Sequence, residues 1–344
     1  ILGSGFDDDA RIWGEIASDW SVIGSKEESI SKARNLELIK AIISTHELNI
    51  HIPKSISSKN LDLKLEGDIA RRIKGFLKER KIKYPFVFRL PHSGGGMGLE
   101  LLDTPEGLNK RISTWISQEN KTQGEINQEH FIIQEYVGDQ NHVDMSALVL
   151  NGTLLCFTMQ NIGIDWLNAP KPFAYCGNEI PAMDLPDPVA SSIKKFIHTI
   201  WKEFGLKGLW GVDFIVANGK IYFMEINPRV PGSLEVANIA MGTNILKRTI
   251  QTFQSTHEQT WTPKIKSHAL KYILFSHKDF TMPTIPLGFH ESINGELHDL
   301  TPPGKQVYAG NPILTYTYQG DVKRIEYNKH LAREDIWRLK NLLS

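Results

Sequence analysis

Cysteine is scarce: the 344 residues carry only Cys156 and Cys176, and no C-x-x-C spacing joins them. That argues against a disulfide framework or a structural zinc site and fits free thiols in a reducing cytoplasm. No run of 18 apolar residues occurs, and the first residues show neither a basic nor an apolar leader region. The expectation is a cytoplasmic chain that neither spans a membrane nor carries a signal. No charge of one sign prevails, since Lys+Arg 39 stand against Asp+Glu 39. That balance gives no general attraction for nucleic acid or anionic lipid.

What is present is concentrated in three places. Between Gly211 and Glu235 the chain reads GVDFIVANGKIYFMEINPRVPGSLE, an acid on one strand followed across a turn by Glu-Ile-Asn-Pro-Arg on the next. Asp213, Glu225 and Asn227 supply hard oxygen ligands of the kind Mg²⁺ takes together with phosphate oxygens, and Arg229 adds a planar cation beside them. Alternation along a strand puts Glu225 and Asn227 on one face. Asp213 is harder to place. A two-residue type I′ turn at Asn218-Gly219 would set it opposite Met224 and away from Glu225. A three-residue loop, Ala217-Asn218-Gly219 with a left-handed Gly219, sets it opposite Phe223 and on the Glu225 face, and this loop is the expectation. A lone D…E-x-N would more often be an amphipathic hairpin with solvated acids, so the other segments decide.

The second segment is YPFVFRLPHSGGGMG, Tyr84 to Gly98, where a strand bearing Arg89 runs into a glycine cluster that includes Gly94, Gly95 and Gly96. Glycine lets backbone N–H groups approach phosphate oxygens and form an anion-binding nest. The cluster is neither a Walker A loop nor a Rossmann fingerprint, and alone it is as often a surface loop. The third is HFIIQEYV, His130 to Val137, followed by a strand bearing Asp144. Such a connector between sheets offers an apolar slot and backbone donors for an adenine ring, with Asp144 placed to accept from a ribose hydroxyl. Singly, an exposed strand acid is the commoner reading of Asp144.

Taken together and in this order, the segments resemble the ATP-grasp superfamily, over roughly Tyr84 to Phe253, about half the chain. The likeness is greatest to predicted carboligases related to biotin carboxylase. The opening ILGSGFDDD, the segment Pro172 to Gly177 and Pro302-Pro303-Gly304 fit that subgroup. The resemblance implies ATP and two Mg²⁺ ions, with Mn²⁺ as an alternative, held by Asp213, Glu225 and Asn227. Arg229 and Asn227 would serve the chemistry, with Arg229 facing the acyl phosphate or acceptor carboxylate. Arg89 and the glycine loop would grip phosphates, Gln134, Glu135, Tyr136 and Val137 would surround adenine, and Asp144 would sit near ribose. Two departures stand out where relatives carry lysines. Arg89 replaces the first, and Asn35-Leu36 stands where an Asp-Lys pair is common. Arginine can grip phosphates bidentately, but it cannot act as a base.

The implied fold is α/β (α+β), an ATP-grasp fold in three parts. Residues 1–60 read as a partial Rossmann-like region, 61–262 as the ATP-grasp domain and 263–344 as a small β-rich domain ending in a helix near Arg333 to Leu343. The non-methionine start at Ile1 suggests missing upstream residues. Ser25-Lys26-Glu27-Glu28 reads as a capping box opening a helix through Ile30, Ala33, Ile39 and Ile43. Another helix is expected from about Leu63 to Glu79, and one capped by Asp187, with Pro188 at its first position, behind the metal hairpin. His92 and His142 are read as surface or packing histidines. Acceptor specificity is expected from the irregular stretch Asn161 to Glu179, with Asp165, Trp166, Lys171 and Tyr175, together with Arg229 and Ser233.

The activity implied is an ATP- and Mg²⁺-dependent ligase joining a small-molecule carboxylate to an amine through an acyl phosphate, in small-molecule or cofactor biosynthesis, and a homodimer is compatible with it. A bicarbonate-activating carboxylase is one alternative. A nucleotide-binding regulatory protein without turnover is another.

Overall fold

The computed structural model describes residues 12, 14–16, 22–58, 69–90, 95–119, 131–138, 141–182, 185–254, 261–286 and 288–343. Residues 1–11 and 59–68 lie outside that set, and so do the expected strand at the start and the first turns of the helix expected from Leu63.

A small antiparallel sheet takes the order β1-β4-β2-β3. It is made of β1 (Ser55–Ser57), β2 (Phe86–Arg89), β3 (Leu99–Leu102) and β4 (Ile132–Glu135). Phe86, Phe88 and Ile133 point to one face and bury there beneath α3 (Ile69–Glu79) and α4 (Pro105–Glu119), where Phe131 stacks on Phe88 at 5.0 Å. Period-two alternation therefore turns Arg89 to the opposite face.

The main sheet has eight strands in the order β12-β14-β10-β7-β6-β5-β8-β9. Its first five in chain order are β5 (Val143–Leu150), β6 (Thr153–Ile162), β7 (Tyr175–Ile180), β8 (Leu209–Ala217) and β9 (Lys220–Asn227). The strands after Pro263 extend this same sheet through β10 (His268–Phe275), β12 (Glu296–His298) and β14 (Pro312–Gly320), while β11 (Phe280–Thr281) and β13 (Gln306–Val307) pair separately.

Helices cover both faces. On one, Ile193, Phe196, Ile197 and Ile200 of α5 (Asp187–Phe204) meet Val212, Phe214 and Phe223 of the β8–β9 hairpin, with Phe196 at 5.8 Å from Phe214 and 5.5 Å from Phe223. The helix spacing thus backs the hairpin as expected, but it begins one residue early: Pro186 is the cap and Asp187 the first helical residue. On the other face lie α6 (Leu234–Met241) and α7 (Ile245–Gln254), whose Val236, Ala237, Ala240 and Ile245 pack on Leu148 and Leu150. At the far edge α8 (Ile325–Leu343) starts well before Arg333 and buries Ile336 and Leu339 against Tyr316.

The expected capping box is not formed. Ser25 Oγ instead accepts from Lys207 N at 3.0 Å and donates to its carbonyl, so the helix beginning at Glu27 has no side-chain cap. The single helix is in fact two, α1 (Glu27–Ala33) and α2 (Leu36–Thr45), because the Asn35 side chain accepts from Glu37 N and Leu38 N and restarts the helix. This break places Arg34 beside the main sheet.

A buried polar clip ties α8 to the sheet. Glu179 on β7 meets His268 Nε2 at 3.2 Å and Lys329 Nζ at 2.9 Å, and Asn328 bonds the other imidazole nitrogen at 3.0 Å. Burial alone would raise the Glu179 carboxyl, but the bonds from His268 and Lys329 outweigh it and hold it below its usual 4.5. A carboxyl depressed in the folded state stabilises above its unfolded value, and that stability is lost as pH falls through the folded value. Glu179→Gln is therefore expected to cost about 3 kcal/mol at pH 7 in urea unfolding. Its stability should also fall less steeply than that of the wild type between pH 6 and pH 3. An unchanged midpoint and an unchanged pH slope would remove the clip from the account.

Candidate active site

The site is built on the β8–β9 hairpin, and its turn is not the expected one. Ala217 pairs directly with Lys220, and Asn218 and Gly219 both take positive φ, 51° and 70°, which is a two-residue type I′ turn. By simple alternation this turn would point Asp213 away from Glu225. The register shifts between Asp213 and Phe214: Phe214 pairs with Phe223, but Asp213 pairs with Glu225, leaving Met224 as an extra residue on β9. A β-bulge therefore accomplishes what the three-residue loop was expected to do.

The hairpin brings Asp213, Glu225, Asn227 and Arg229 into one contact network. Asn227 Nδ2 donates to Asp213 Oδ2 at 2.9 Å and lies 3.5 Å from Glu225 Oε1. Arg229 donates to Asn227 Oδ1 at 3.3 Å and to the Val230 carbonyl at 3.3 Å. Gln160 on β6 reaches across to Asp213 Oδ1 at 3.0 Å. Asp213 keeps some solvent access, yet protein groups close around its carboxyl. Burial first, and the neighbouring Glu225 charge second, push it well above the usual carboxylate range. The amide N–H₂ of Asn227 sits between the two carboxylates where positive charge is wanted. Two carboxylates, with the Asn227 amide oxygen once the side chain turns it from Arg229 toward the acids, are a donor set that fits Mg²⁺, which completes its shell with water and phosphate. Among the described residues no group of three or more His, Cys, Asp or Glu is arranged for a metal, so this mixed set is the one the site offers.

Cations close in from the other sheet and from the helix break. Arg34 Nη1 stands 3.8 Å from Glu225 Oε2. Burial lowers the Arg89 guanidinium, the Glu225 charge partly restores it and Arg34 lowers it further, so both arginines and Glu225 share one electrostatic neighbourhood. Arg34 immediately precedes the Asn35-Leu36 pair noted as a departure. Its signal was the N-cap residue at 35, which splits the helix and frees the preceding side chain. Gln160 carried no signal in the sequence, because its reach to Asp213 depends on the order of strands in the sheet.

The remaining expected residues divide between the two sheets. Arg89 Nη1 donates to Gln134 Oε1 at 3.3 Å on the small sheet. Glu135 exchanges bonds with Lys54, its N–H reaching the Lys54 carbonyl at 2.8 Å and its carboxylate accepting from Lys54 N at 3.1 Å. Tyr136 and Val137 follow in the half-buried connector, Tyr136 edge-on to Phe173 at 6.4 Å. Asp144 pairs with Ile215 on β8, which puts it on the same sheet face as Asp213, and His142 lies 3.3 Å from its carboxylate. Gly94 and His92 lie outside the described residues.

The glycine loop folds onto the segment before β7. Gly95 accepts from Tyr175 N at 3.1 Å, Lys171 Nζ donates to the Met97 carbonyl at 2.7 Å, and a Cβ on Gly96, at φ 75°, would stand 1.7 Å from the Phe173 oxygen. The stretch expected to be irregular is partly strand, since β6 includes Asn161 and β7 begins at Tyr175. Trp166 does not face the site: it stacks edge-on with Tyr272 at 5.0 Å in the core beneath α8. Tyr175 does face it, its hydroxyl bonded to Asn178 on the polar face of β7.

Residues 107–233 match the family model described as an ATP-grasp domain. The carbamoyl phosphate synthase large chain of Buchnera aphidicola is 23% identical over 209 residues, which is 61% of this chain and 18% of that protein. The chain thus spans about a fifth of the length of that curated relative. Biotin carboxylase from Campylobacter jejuni, solved as a β-γ-ATP complex, superposes with a TM-score of 0.67 at 14% identity, covering 96% of this chain and 75% of that one. An L-amino acid ligase from Bacillus licheniformis gives 0.65 at 13% identity, covering 92% and 75%. No helix among the described residues is long and apolar enough to cross a membrane.

Gly96→Ala tests the clasp directly. It should push the loop off Phe173 and speed hydrogen exchange at the Tyr175 amide by about tenfold or more, with little change in the exchange of β8. Unaltered exchange at Tyr175 would mean that the loop does not depend on this contact.

Proposed function

Because this chain belongs to the ATP-grasp superfamily, we propose that it is an ADP-forming ligase that joins a small-molecule carboxylate to an amine, in small-molecule or cofactor biosynthesis. The observation that carries the reading is the bulged hairpin, which sets Asp213 and Glu225 side by side with Asn227 and Arg229 while Arg34 and Arg89 approach Glu225. Such a cluster of acids ringed by guanidinium groups has little purpose in packing, but it suits a cation-bound triphosphate. The division at residues 60 and 262 is part of the same reading, with the strands of the last segment built into the main sheet.

In this reading Asp213, Glu225 and Asn227 hold Mg²⁺, and Mn²⁺ could replace it. The bound cation neutralises phosphate charge. Arg89 and the backbone of Gly94, Gly95 and Gly96 hold phosphate oxygens, and Gln134, Glu135, Tyr136 and Val137 frame adenine, with Asp144 toward ribose. A substrate carboxylate oxygen bonds to the γ-phosphorus as the bond to the β–γ bridging oxygen breaks, releasing ADP. Arg229 steadies the charge that builds on the transferring group. An amine nitrogen then bonds to the acyl carbon, sheds a proton, and phosphate leaves. The glycine loop, held at Gly95 and Met97 by the segment from Lys171 to Tyr175, keeps water from the acyl phosphate.

The chain should release ADP from ATP only with Mg²⁺ or Mn²⁺ and a carboxylate from a panel of small acids. Asp213→Asn and Glu225→Gln should each lower that rate on the order of 100-fold. Tyr175→Phe should change turnover with the amine while sparing nucleotide binding, whereas Lys171→Ala, which frees the glycine loop at Met97, should weaken nucleotide binding as well. Nucleotide binding without any ADP release across the panel would favour a regulatory binder, and release dependent on bicarbonate without an amine would favour a carboxylase.

A further inference from the structure

Five oxygen atoms belong to the three side chains read as cation ligands, and each of them faces a nitrogen of the protein. Gln160 Nε2 donates to Asp213 Oδ1 at 3.0 Å, and Asn227 Nδ2 donates to Asp213 Oδ2 at 2.9 Å and lies 3.5 Å from Glu225 Oε1. Arg229 Nη2 donates to Asn227 Oδ1 at 3.3 Å, and Arg34 Nη1 stands 3.8 Å from Glu225 Oε2. All but the last of these contacts come from the main sheet or from the continuation of its hairpin. Arg34 reaches in from outside the sheet, and among these contacts it alone sets a full positive charge against a carboxylate.

The backbone that carries this arginine is rooted. Arg34 caps α1, its N–H donating to the Ile30 carbonyl at 3.1 Å, and the Asn35 side chain restarts the chain as α2. Ala33 and Ile39, on either side of the break, are each 2% exposed and belong to the core that also holds Val212 and Phe214 of the hairpin. The pair with Glu225 is loose by comparison: the two side chains are 28% and 38% exposed, and 3.8 Å is a pairing of charges beyond hydrogen-bond reach. Exposed pairs of this kind add little to stability. What this one does is put positive charge where a cation would enter. Arg229 is directed at Asn227, and Arg89 stands near enough that Arg34 and Glu225 both act on its charge. Three guanidinium groups thus outweigh two carboxylates. A bare divalent ion enters such a cluster against net positive charge, whereas one carried by a triphosphate brings net negative charge with it.

We propose that Arg34 is a positioning residue that sets the form in which the cation is taken: paired with Glu225 it turns away a bare divalent ion, and it releases the carboxylate when the ion arrives with a triphosphate. The inference rests on the ligase reading and adds the order of loading to it. No covalent step is involved. The guanidinium exchanges a carboxylate partner for phosphate oxygens, and Glu225 is freed to act as a ligand. The weakness of the pair suits this role, because a contact that must be given up on each turnover cannot be one that holds the fold together. The rooted backbone suits it equally, since it returns the guanidinium to Glu225 once the nucleotide has left.

The test is Mn²⁺ binding to the intact chain, read by electron paramagnetic resonance with and without a non-hydrolysable ATP analogue, in the wild type, Arg34→Gln and Arg34→Lys. Arg34→Gln should bind Mn²⁺ alone about tenfold more tightly than the wild type, because a positive charge is removed beside the ion at a half-exposed place. The ratio of Mn²⁺ affinities with and without the analogue should shrink by a like factor, and by linkage the strengthening of analogue binding by Mn²⁺ should shrink with it. Arg34→Lys, which keeps the charge, should retain most of the wild-type ratio. Binding of Mn²⁺ alone that is unchanged or weaker in Arg34→Gln would overturn the proposal, and so would a lysine variant that behaves like the glutamine one; a mere strut would lower the thermal midpoint and leave Mn²⁺ affinity where it was. Should Arg34→Gln fail to fold, nitrogen-15 spectra of the wild-type arginine side chains decide. The Arg34 Nε–H signal, identified with Arg34→Lys, should move when Mg²⁺ and the analogue are added together and stay in place with the same Mg²⁺ alone; equal movement with Mg²⁺ alone would overturn the proposal. Failure of the ligase reading shows separately: a wild type that binds no Mn²⁺ even with the analogue removes the cation site and the proposal together, whereas a wild type that binds as expected beside an unmoved Arg34→Gln removes the proposal alone.

Discussion

Two carboxylates held side by side on neighbouring strands govern the rest of this site. Asp213 and Glu225 face each other because β9 carries one residue more than β8 across the bulge at Met224. Burial first, and the like charge of Glu225 second, raise the Asp213 carboxyl. The surroundings answer with positive groups: the Asn227 amide between the acids, Arg229 behind the amide, and Arg34 and Arg89 near Glu225. Asn227 and Arg229 come from the hairpin itself, Arg34 from the helix break and Arg89 from the small sheet, so three parts of the chain bring compensating charge to one point.

The support for that point is apolar and rigid. Behind the hairpin, Phe196 of α5 is wedged against Phe214 and Phe223, fixing the strands from which the acids project. Truncating a core aromatic of this kind costs roughly 3–5 kcal/mol, so the hairpin is firmly backed. The opposite side is held by polar contacts. The glycine loop touches the segment before β7 through backbone atoms and one lysine, and the segment leading into the small sheet is tied to the large one through His51, whose backbone bonds Ile221 and Phe223. In the proposed reading, a metal hairpin backed by the core and a phosphate loop held by polar contacts would suit a site that opens for nucleotide and closes for transfer.

Much of this was legible before any coordinates. The acids and the arginine of the hairpin, the glycine loop and the Gln134–Glu135 connector were marked by residue type and order, and the periodicity of Ile193, Phe196, Ile197 and Ile200 located the helix behind them. What escaped were features set by the register of distant strands. The turn at Asn218-Gly219 is the tight one its sequence favours, and Asp213 is turned inward instead by a bulge that no local pattern marks. Arg34 was hidden by reading α1 and α2 as one helix, and Trp166, in a segment that reads as a substrate loop, is claimed by the C-terminal core. Ser25 followed the same logic: its local capping pattern yielded to a backbone partner at Lys207, 182 residues away.

The central claim is that Asp213, Glu225 and Asn227 together hold a divalent cation that bridges to nucleotide phosphates. Electron paramagnetic resonance of Mn²⁺ titrated into the chain, with and without a non-hydrolysable ATP analogue, tests it most directly. The account predicts tight Mn²⁺ binding that strengthens when nucleotide is present and is lost in an Asp213→Asn, Glu225→Gln double variant that still folds. Mn²⁺ binding of equal strength in that variant, or binding indifferent to nucleotide, would contradict it.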